Sequence, residues 1–279
     1  MKDEHWSWEL SSRQSWFKLD LAELAGYKDL LFSFVRRELK SGYHQTAMGA
    51  FWIVLQPLLT TMFYLLVFGN IVKISTDNIS PVLFYMSGII IWSFFSDCLS
   101  GAMYSFIKNA HIFNKVYFPR LLVPFSMVIT HAIRFGIQFL LFVLLFLYYG
   151  DAKGINLSSL LWLPLLIIQI AALGLGIGLI VSTLMVKYRD MDQIMQFTLR
   201  LFMFLTPVVY PASLIPQQYE VLYWLNPVTP VIETFRSILF SHAPVEAVYL
   251  LIGAANTVMI VAIGLLMFKR REITAMDTI

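Results

Sequence analysis

Cysteine is almost absent from this chain. Its single thiol, Cys98, excludes an intrachain disulfide, so nothing here points to an oxidising compartment. Charge is also scarce. Asp, Glu, Lys and Arg make up 13% of 279 residues, and the net charge of +3 is too small to suggest a nucleic-acid partner. No Gly-x-x-x-x-Gly-Lys-Ser/Thr string occurs, which excludes ATP binding by a phosphate loop. There is no His-Glu-x-x-His, no cysteine pair and no clustered His/Asp/Glu set to hold a metal. A Gly-x-Ser-x-Gly elbow is missing too. Carboxylate pairs suited to sugar chemistry are missing, and the polar loops are too short to hold a sugar nucleotide. Together these absences argue against an enzyme. Residues 1–20 place Trp6, Trp8 and Trp16 among charges with no apolar core, so no cleavable signal peptide is expected and the first span serves as its own insertion signal.

What the chain has in abundance is hydrocarbon. Hydrophobic residues reach 58%, and the mean hydropathy is +0.72. Six long apolar runs, roughly 48–74, 82–106, 121–149, 157–186, 191–210 and 248–268, alternate with short polar connectors. About 20 apolar residues are needed to cross the hydrocarbon core, and each run meets or nearly meets that length. The pattern predicts an all-α polytopic membrane protein with six transmembrane helices, an N-terminal amphipathic interface helix, and short re-entrant helices between spans 5 and 6. Residues 1–45 form a cytoplasmic N-terminal segment and 46–279 the six-span domain.

Lys/Arg bias sets the expected orientation. With the N-terminus inside, the inner segments hold Lys2, Arg13, Lys18, Lys28, Arg36, Arg37, Lys40, Lys108, Lys115, Arg120, Lys187, Arg189, Lys269, Arg270 and Arg271. The outer loops hold Lys73, Lys153 and Arg236. Both termini are therefore expected in the cytoplasm.

The connectors carry the specific signals. Over about 23–40, Leu24, Tyr27, Leu31, Phe34, Val35 and Leu39 recur at helical spacing opposite a basic face with Arg36, Arg37 and Lys40. Such a helix lies at the membrane interface, its basic face toward headgroups or toward a partner. Residues 108–120 are too long for a simple turn. They mix Phe113, Tyr117 and Phe118 with Lys115 and Arg120, as a docking element for an acidic-edged groove would. Pro57, early in the first span, predicts a kink.

Within the spans, Asp97 is costly at membrane depth, and two readings stay open: a functional carboxylate, or one bonded to neighbouring serines at a helix break. His131 reads as an interhelical hydrogen bonder, and Arg134 as a side chain snorkelling to the interface. Gly174, Gly176 and Gly178 read as a close helix-packing face, not a dinucleotide fingerprint. From Thr206 to His242, five prolines break an apolar stretch into pieces too short to span. A re-entrant pair of short helices fits, with Glu233 and Arg236 paired at i,i+3.

Several of these strings, in this order, resemble a known family. The stretch 36–57, from Arg36-Arg37 through Gly49-Ala50-Phe51-Trp52 to Gln56-Pro57, resembles the entry to the first span in membrane subunits of type 2 ABC exporters. More narrowly, it is similar to polysaccharide exporters that move lipid-linked O-antigen, capsule or teichoic-acid chains. The connector 109–120 resembles that family's first cytoplasmic coupling segment, and Tyr188-Arg189-Asp190 the end of its fourth span. Thr206–Pro211 with Leu225–Arg236 resembles its outer gate. One departure is Gly42-Tyr43-His44, where the family usually flanks the tyrosine with basic residues.

The resemblance implies a homodimer in the bacterial inner (plasma) membrane, sitting on two copies of a cytoplasmic ATPase that binds ATP and Mg; the chain itself would need no cofactor. Coupling to the ATPase would fall to Arg36, Arg37, Lys40, Lys108, Asn109, His111, Phe113, Lys115, Tyr117, Arg189 and Asp190. A lipid-linked glycan would pass a channel lined from among Phe51, Trp52, Tyr64, Tyr85, Trp92, Asp97 and Tyr210. Pro207, Pro211, Asn226, Pro227, Glu233 and Arg236 would form the outer gate. Membrane lipid is the remaining expected partner. A type 2 exporter of a drug or lipid, and an integral-membrane glycosyl- or acyltransferase, are the alternatives.

Overall fold

A computed structural model describes residues 26–42, 48–113, 118–149, 157–188, 190–240 and 244–276, with backbone alone at 110–113, 157–158 and 272–276. No strand occurs among the described residues. The helices are α1 (Lys28–Ser41), α2 (Trp52–Tyr64), α3 (Pro81–Met103), α4 (Ser105–Phe113), α5 (Leu122–Tyr149), α6 (Leu157–Leu160), α7 (Leu163–Met185), α8 (Met191–Phe204), α9 (Glu220–Leu225), α10 (Thr229–Phe240) and α11 (Ala247–Met276). A 3₁₀ turn at Gly49–Phe51 leads into α2, and a π-helical segment at Leu65–Ile71 extends it.

Five of these segments are long and apolar enough to cross a membrane: Gly49–Ile71, Pro81–Met103, Leu122–Tyr149, Leu163–Met185 and Ala247–Arg271. The run expected to give a fifth span in chain order is cut short. Helix α8 has 14 residues, roughly 21 Å at 1.5 Å per residue, against a hydrocarbon core of about 30 Å. Pro207 offers no N–H and disfavours helix at Thr206. The chain turns there and tucks Thr206, Val208 and Val209 inside the protein, each no more than 2% exposed.

Helix α3 is the centre of the bundle, with Leu83, Phe84, Tyr85 and Met86 all closed off from solvent. Its main neighbours are α7 and α5, and α7 in turn packs heavily on α11. The three α7 glycines explain how one helix meets two partners so closely. Gly174 and Gly178 share a face, and a Cβ on them would lie 2.8 Å from Phe95 O and 2.6 Å from Leu99 O of α3. Gly176, two residues along and so about 200° round the helix, faces α11: its Cβ would meet Val261 Cα at 3.0 Å. A Cβ on Gly264 of α11 would come 2.5 Å from Gly176 O. Small residues are the means by which helices approach in lipid, where the hydrophobic effect gives no drive to associate. The packing reading of these glycines therefore holds, on two faces where one was expected.

Pro57 lies inside α2 and cannot donate to the carbonyl four residues back. That carbonyl, Ile53 O, instead accepts a hydrogen bond from Gln138 Nε2 of α5 at 3.2 Å. The residue in α5 thus repairs the ladder that proline breaks.

Gly178→Val is expected to destabilise the purified chain by about 1–3 kcal/mol or more, because the clashing Leu99 carbonyl is backbone and cannot rotate aside. Gly136, with nothing near its Cβ position, provides the contrast. Gly136→Ala should be neutral or stabilising by up to about 1 kcal/mol from helix propensity. Thermal melting in detergent distinguishes the two.

Candidate functional site

Two polar assemblies mark the two ends of the bundle. The first joins α1, α4 and α8. On α1, Phe34 and Val35 are buried, and Phe34 meets Phe118 at a ring separation of 5.6 Å beside Leu122, Val123 and Met127. The apolar face of α1 therefore docks on the start of α5, leaving Arg36 and Lys40 exposed. From this platform Arg37 Nη2 donates to Asn109 Oδ1 of α4 at 2.8 Å. Asn109 is only 2% exposed and donates in turn to Ser105 O at 3.2 Å.

Tyr104, at the joint between α3 and α4, donates its hydroxyl in a short hydrogen bond to Asp192 of α8 and accepts one from Gln196 Nε2 at 3.2 Å. Lys108 Nζ lies 5.2 Å from the Tyr104 ring centroid. Burial, reinforced by the hydrogen bond to Asp192, raises the Tyr104 phenol pKa, so it stays a donor. Two of the residues that the resemblance implies for coupling, Arg37 and Asn109, are thus in direct contact. The Tyr104–Asp192–Gln196 link has no signal in the sequence, where Tyr104 lies in an apolar run. Asp190 is exposed, one residue before α8. Arg120, expected as an accessible basic edge, is buried. His111 and Phe113 fall on the last turn of α4 without described side chains, and Lys115, Tyr117 and Arg189 lie outside the described residues.

A polar cluster lies one layer deeper. Asp97 Oδ2 is 3.9 Å from His131 Nδ1, the partner its sequence context did not name. The Asp97 side chain is about half exposed, while His131 is mostly buried. A Cβ on Gly101 would fall 2.8 Å from His131 Nε2, so this glycine makes room for the imidazole. Arg134 reaches the end of α1, where its Nη2 would be 2.9 Å from a Cβ on Gly42.

At the opposite end, Arg236 of α10 is 2% exposed. Its Nε donates to Ser87 Oγ at 3.3 Å, Nη1 to Glu233 Oε1 at 3.3 Å, and Nη2 to Phe84 O at 3.2 Å and Val208 O at 3.4 Å. Its guanidinium also sits 3.7 Å from the Phe84 ring centroid. Glu233 accepts a second hydrogen bond from Tyr223 Oη at 3.3 Å. One side chain thereby fastens α10 to α3 and to the 206–210 turn. Gly88 permits this approach, since a Cβ there would meet Arg236 Nη2 at 2.9 Å and Val208 Cα at 3.0 Å. Burial pushes the Arg236 pKa down and the Glu233 pKa up, and their mutual attraction opposes both shifts. Burial, helped by the Glu233 charge, also raises the Tyr223 phenol.

The expected i,i+3 pair is present, but Arg236 is no outer-loop charge: the buried guanidinium is structural. Asn226 closes the same assembly, donating to Thr206 Oγ1 at 3.2 Å and accepting from the Val228 N–H at 3.1 Å. Pro207 and Pro227 flank these contacts in sequence. Pro211, with Asp77, Glu220, Trp224, Glu233, Arg236, Glu246 and Tyr249, lines a cavity of about 280 Å³. There Trp224 and Tyr249 stack at 4.6 Å, and Ser213 Oγ sits 2.9 Å from both Asp77 carboxylate oxygens.

The aromatics separate into three groups. Phe51 and Trp52 are exposed, at 56% and 42%. Tyr64 and Tyr210 are half-buried, the first with its hydroxyl on Met203 Sδ at 3.4 Å and the second donating to Phe204 O at 3.0 Å. Tyr85 is fully buried, edge-on to Tyr64, and Trp92 is packed against Phe95 and Phe202. Within one subunit, those last two rings face protein.

Residues 29–240 match the profile of the family described as ABC-2 type transporter. The O-antigen export system permease protein RfbA of Myxococcus xanthus is 28% identical over 253 residues, covering 90% of this chain and 95% of that protein. The protein of the same name from Klebsiella pneumoniae is 27% identical over 242 residues, or 87% and 92%. The polysialic acid transport protein KpsM of Escherichia coli is 26% identical over 239 residues, or 85% and 91%.

Arg236→Met leaves Glu233 buried without its cation, and a loss of about 3–5 kcal/mol is expected. Arg236→Lys should recover little of it, because one ammonium cannot reach Ser87, Glu233 and two carbonyls at once. Melting temperature and membrane yield of the two variants, against Glu233→Gln, measure this.

Proposed function

We propose, on the premise that this chain belongs to the ABC-2 type transporter membrane family, that it is the membrane subunit of an exporter for a lipid-linked polysaccharide. The observation that carries the substrate class is the nearly end-to-end similarity to O-antigen and polysialic acid export permeases. ATP hydrolysis falls to a separate cytoplasmic ATPase, two copies serving two copies of this chain in the bacterial inner membrane.

In this reading both termini are cytoplasmic. Helix α8 is a sixth, short crossing completed by the 205–210 turn, and α9 and α10 are the re-entrant pair at the outer end. Helix α1 lies at the inner interface. The exposed apolar faces of Gly49–Ile71 and α8, carrying Phe51, Trp52, Met62 and Phe63 on one and Phe197 and Phe204 on the other, meet their counterparts across the dimer. There the aromatic rings offer stacking faces to sugars, with Tyr64, Tyr210 and Asp97 beside them. Tyr85 and Trp92 back this wall from within the subunit.

ATP-driven closure enters through the exposed residues of α1, through α4 and the residues after it, and through the 187–192 turn. The Arg37–Asn109 hydrogen bond makes α1 and α4 move together. Tyr104, bonded to Asp192 and Gln196, passes the movement to α8 at the edge of the path. At the outer end the Pro207, Pro211, Asn226 and Pro227 turns, held by Arg236 and Glu233, form the gate.

Arg37→Ala and Asn109→Ala should each lower glycan export several-fold in cells while leaving the amount of chain in the membrane unchanged. The double variant should be no worse than either alone, since both remove the same bond. Surface display of the polysaccharide, with co-purification of the ATPase, reads this out. Intact export in the single variants, or losses that add in the double variant, would sink the coupling assignment. An assembled transporter whose ATPase rate responds to a small drug or simple lipid, and not to a lipid-linked glycan, would favour the alternative exporter. Sugar-nucleotide turnover by the purified chain alone would favour a transferase.

A further inference from the structure

Helices α7 and α11 touch most tightly at Gly176 and Gly264, where a Cβ on the second would lie 2.5 Å from the carbonyl oxygen of the first. Toward their C-terminal ends they part. About two turns beyond Gly176 the gap has widened into a cavity of about 270 Å³, lined by Thr183, Leu184 and Lys187 on one side and Met267, Arg270 and Arg271 on the other. It lies at the end of the bundle opposite the Arg236 anchor, beside Phe268, which stacks on Phe106 at 4.4 Å.

Three cations line this small space and, among the described residues, no carboxylate does. The Thr183 hydroxyl is donated to Ile180 O at 2.7 Å, so the cations are the side-chain donors that remain. Lys187, just past α7, suits the negative end of that helix. The same account does not cover the two arginines, because α11 continues to Met276 and places them more than a turn before its end. Like charges gathered round one cavity repel one another, and an anion seated among them turns that repulsion into attraction.

The surface above the cavity supplies the rest of the ligand's chemistry. Arg270 heads a line of Leu266, Ile263 and Met259, spaced four, three and four residues apart, so all lie on one face of α11. Those three apolar side chains are 46%, 42% and 56% exposed. From Met259 to Arg270 the line is about 16 Å long, roughly half of a hydrocarbon core of about 30 Å and so the depth of one leaflet. Apolar over that depth and cationic at its end, the face matches an acyl chain joined to a phosphate. A protein partner in the aqueous phase would meet the charged end alone. A zwitterionic headgroup would bring an ammonium among three cations, which disfavours it against a headgroup of net negative charge. Neither α7 nor α11 carries a residue assigned above to the glycan path.

We infer that the splayed ends of α7 and α11 bind the phosphate of an anionic phospholipid such as phosphatidylglycerol, with an acyl chain along Leu266, Ile263 and Met259. The phosphate oxygens accept from Lys187, Arg270 and Arg271. The lipid thereby bridges two helices that their glycines hold together only farther up, as basic pockets between membrane helices take anionic headgroups. The site requires a membrane around the chain, but neither a particular orientation nor a particular exported substrate.

The test uses the transporter assembled with its ATPase, purified in mild detergent and weighed by native mass spectrometry after adding phosphatidylglycerol, phosphatidylethanolamine, an isoprenoid diphosphate or inorganic phosphate. Wild type should retain phosphatidylglycerol several-fold better than phosphatidylethanolamine. Arg270→Gln with Arg271→Gln should lower that retention several-fold, as should Lys187→Gln with Arg270→Gln. Lys269→Gln, one residue outside the lining, removes the same charge and should change retention little. Equal retention of the two phospholipids, or an equal effect of Lys269→Gln, would overturn the inference. Displacement of phosphatidylglycerol by equimolar isoprenoid diphosphate or inorganic phosphate would overturn it too. So would loss of the ATPase from the double variants with lipid retention intact, which would mark the patch as a protein contact. Should the double variants fail to fold, phosphatidylglycerol with a photoreactive group near its phosphate decides on wild type. Cross-links within 183–187 or 267–271 support the site, and labelling confined to other segments refutes it.

Discussion

One buried guanidinium decides the shape of one end of this molecule. Arg236 brings five donors into a region where water is not available to satisfy them, and each direction it points is answered by a different part of the chain: α3 through Ser87 and Phe84 O, α10 itself through Glu233, and the 206–210 turn through Val208 O. A charge of this kind is stabilising only while every partner is in place. That requirement makes the short helices after α8 a fixed part of the bundle and not a loop resting on it. It also explains a glycine at position 88, the one side-chain size that lets Val208 and the guanidinium reach the α3 backbone together.

The other end is built differently. Its links are individual hydrogen bonds between helices that each keep an exposed face, Arg37 to Asn109 and Tyr104 to Asp192 and Gln196. Those with one charged member are worth about 1.5–3 kcal/mol net, within reach of a rearrangement driven by a bound partner. A rigid anchor at one end and exchangeable contacts at the other suit a machine in which movement begins at the exchangeable end. Between them, the glycines of α7 lock α3, α7 and α11 into a unit that has little room to slide.

Much of this was legible in the residues. Hydropathy alone located five long helices, and the i,i+3 spacing of Glu233 and Arg236 predicted their pairing. The glycine spacing in α7 predicted close packing, although not that Gly176 would serve a second helix. Proline chemistry predicted that 206–242 would be broken, yet the length of the preceding helix was misread. The apolar run to Tyr210 counts as membrane-compatible whether its residues face lipid or, as Val208 and Val209 do, the protein interior. Hydropathy cannot tell these apart. The Tyr104 link escaped for a related reason: a tyrosine in an apolar run carries no sign of where its hydroxyl will point. The burial of Arg236 and Arg120 was hidden because positive charge in a connector reads the same whether it is solvated or enclosed.

The bond from Gln138 to the Ile53 carbonyl has a consequence for how the chain is made. Spans enter the bilayer in order of synthesis, and Pro57 leaves the first of them one donor short. Until α5 has followed it into the membrane, that carbonyl lacks both the proline's missing N–H and the Gln138 amide that takes its place. The first span is therefore an incomplete membrane helix in its own right, and its final seating depends on a residue translated 85 positions later. Assembly of the bundle is in this sense retrospective: the third long helix completes the backbone of the first.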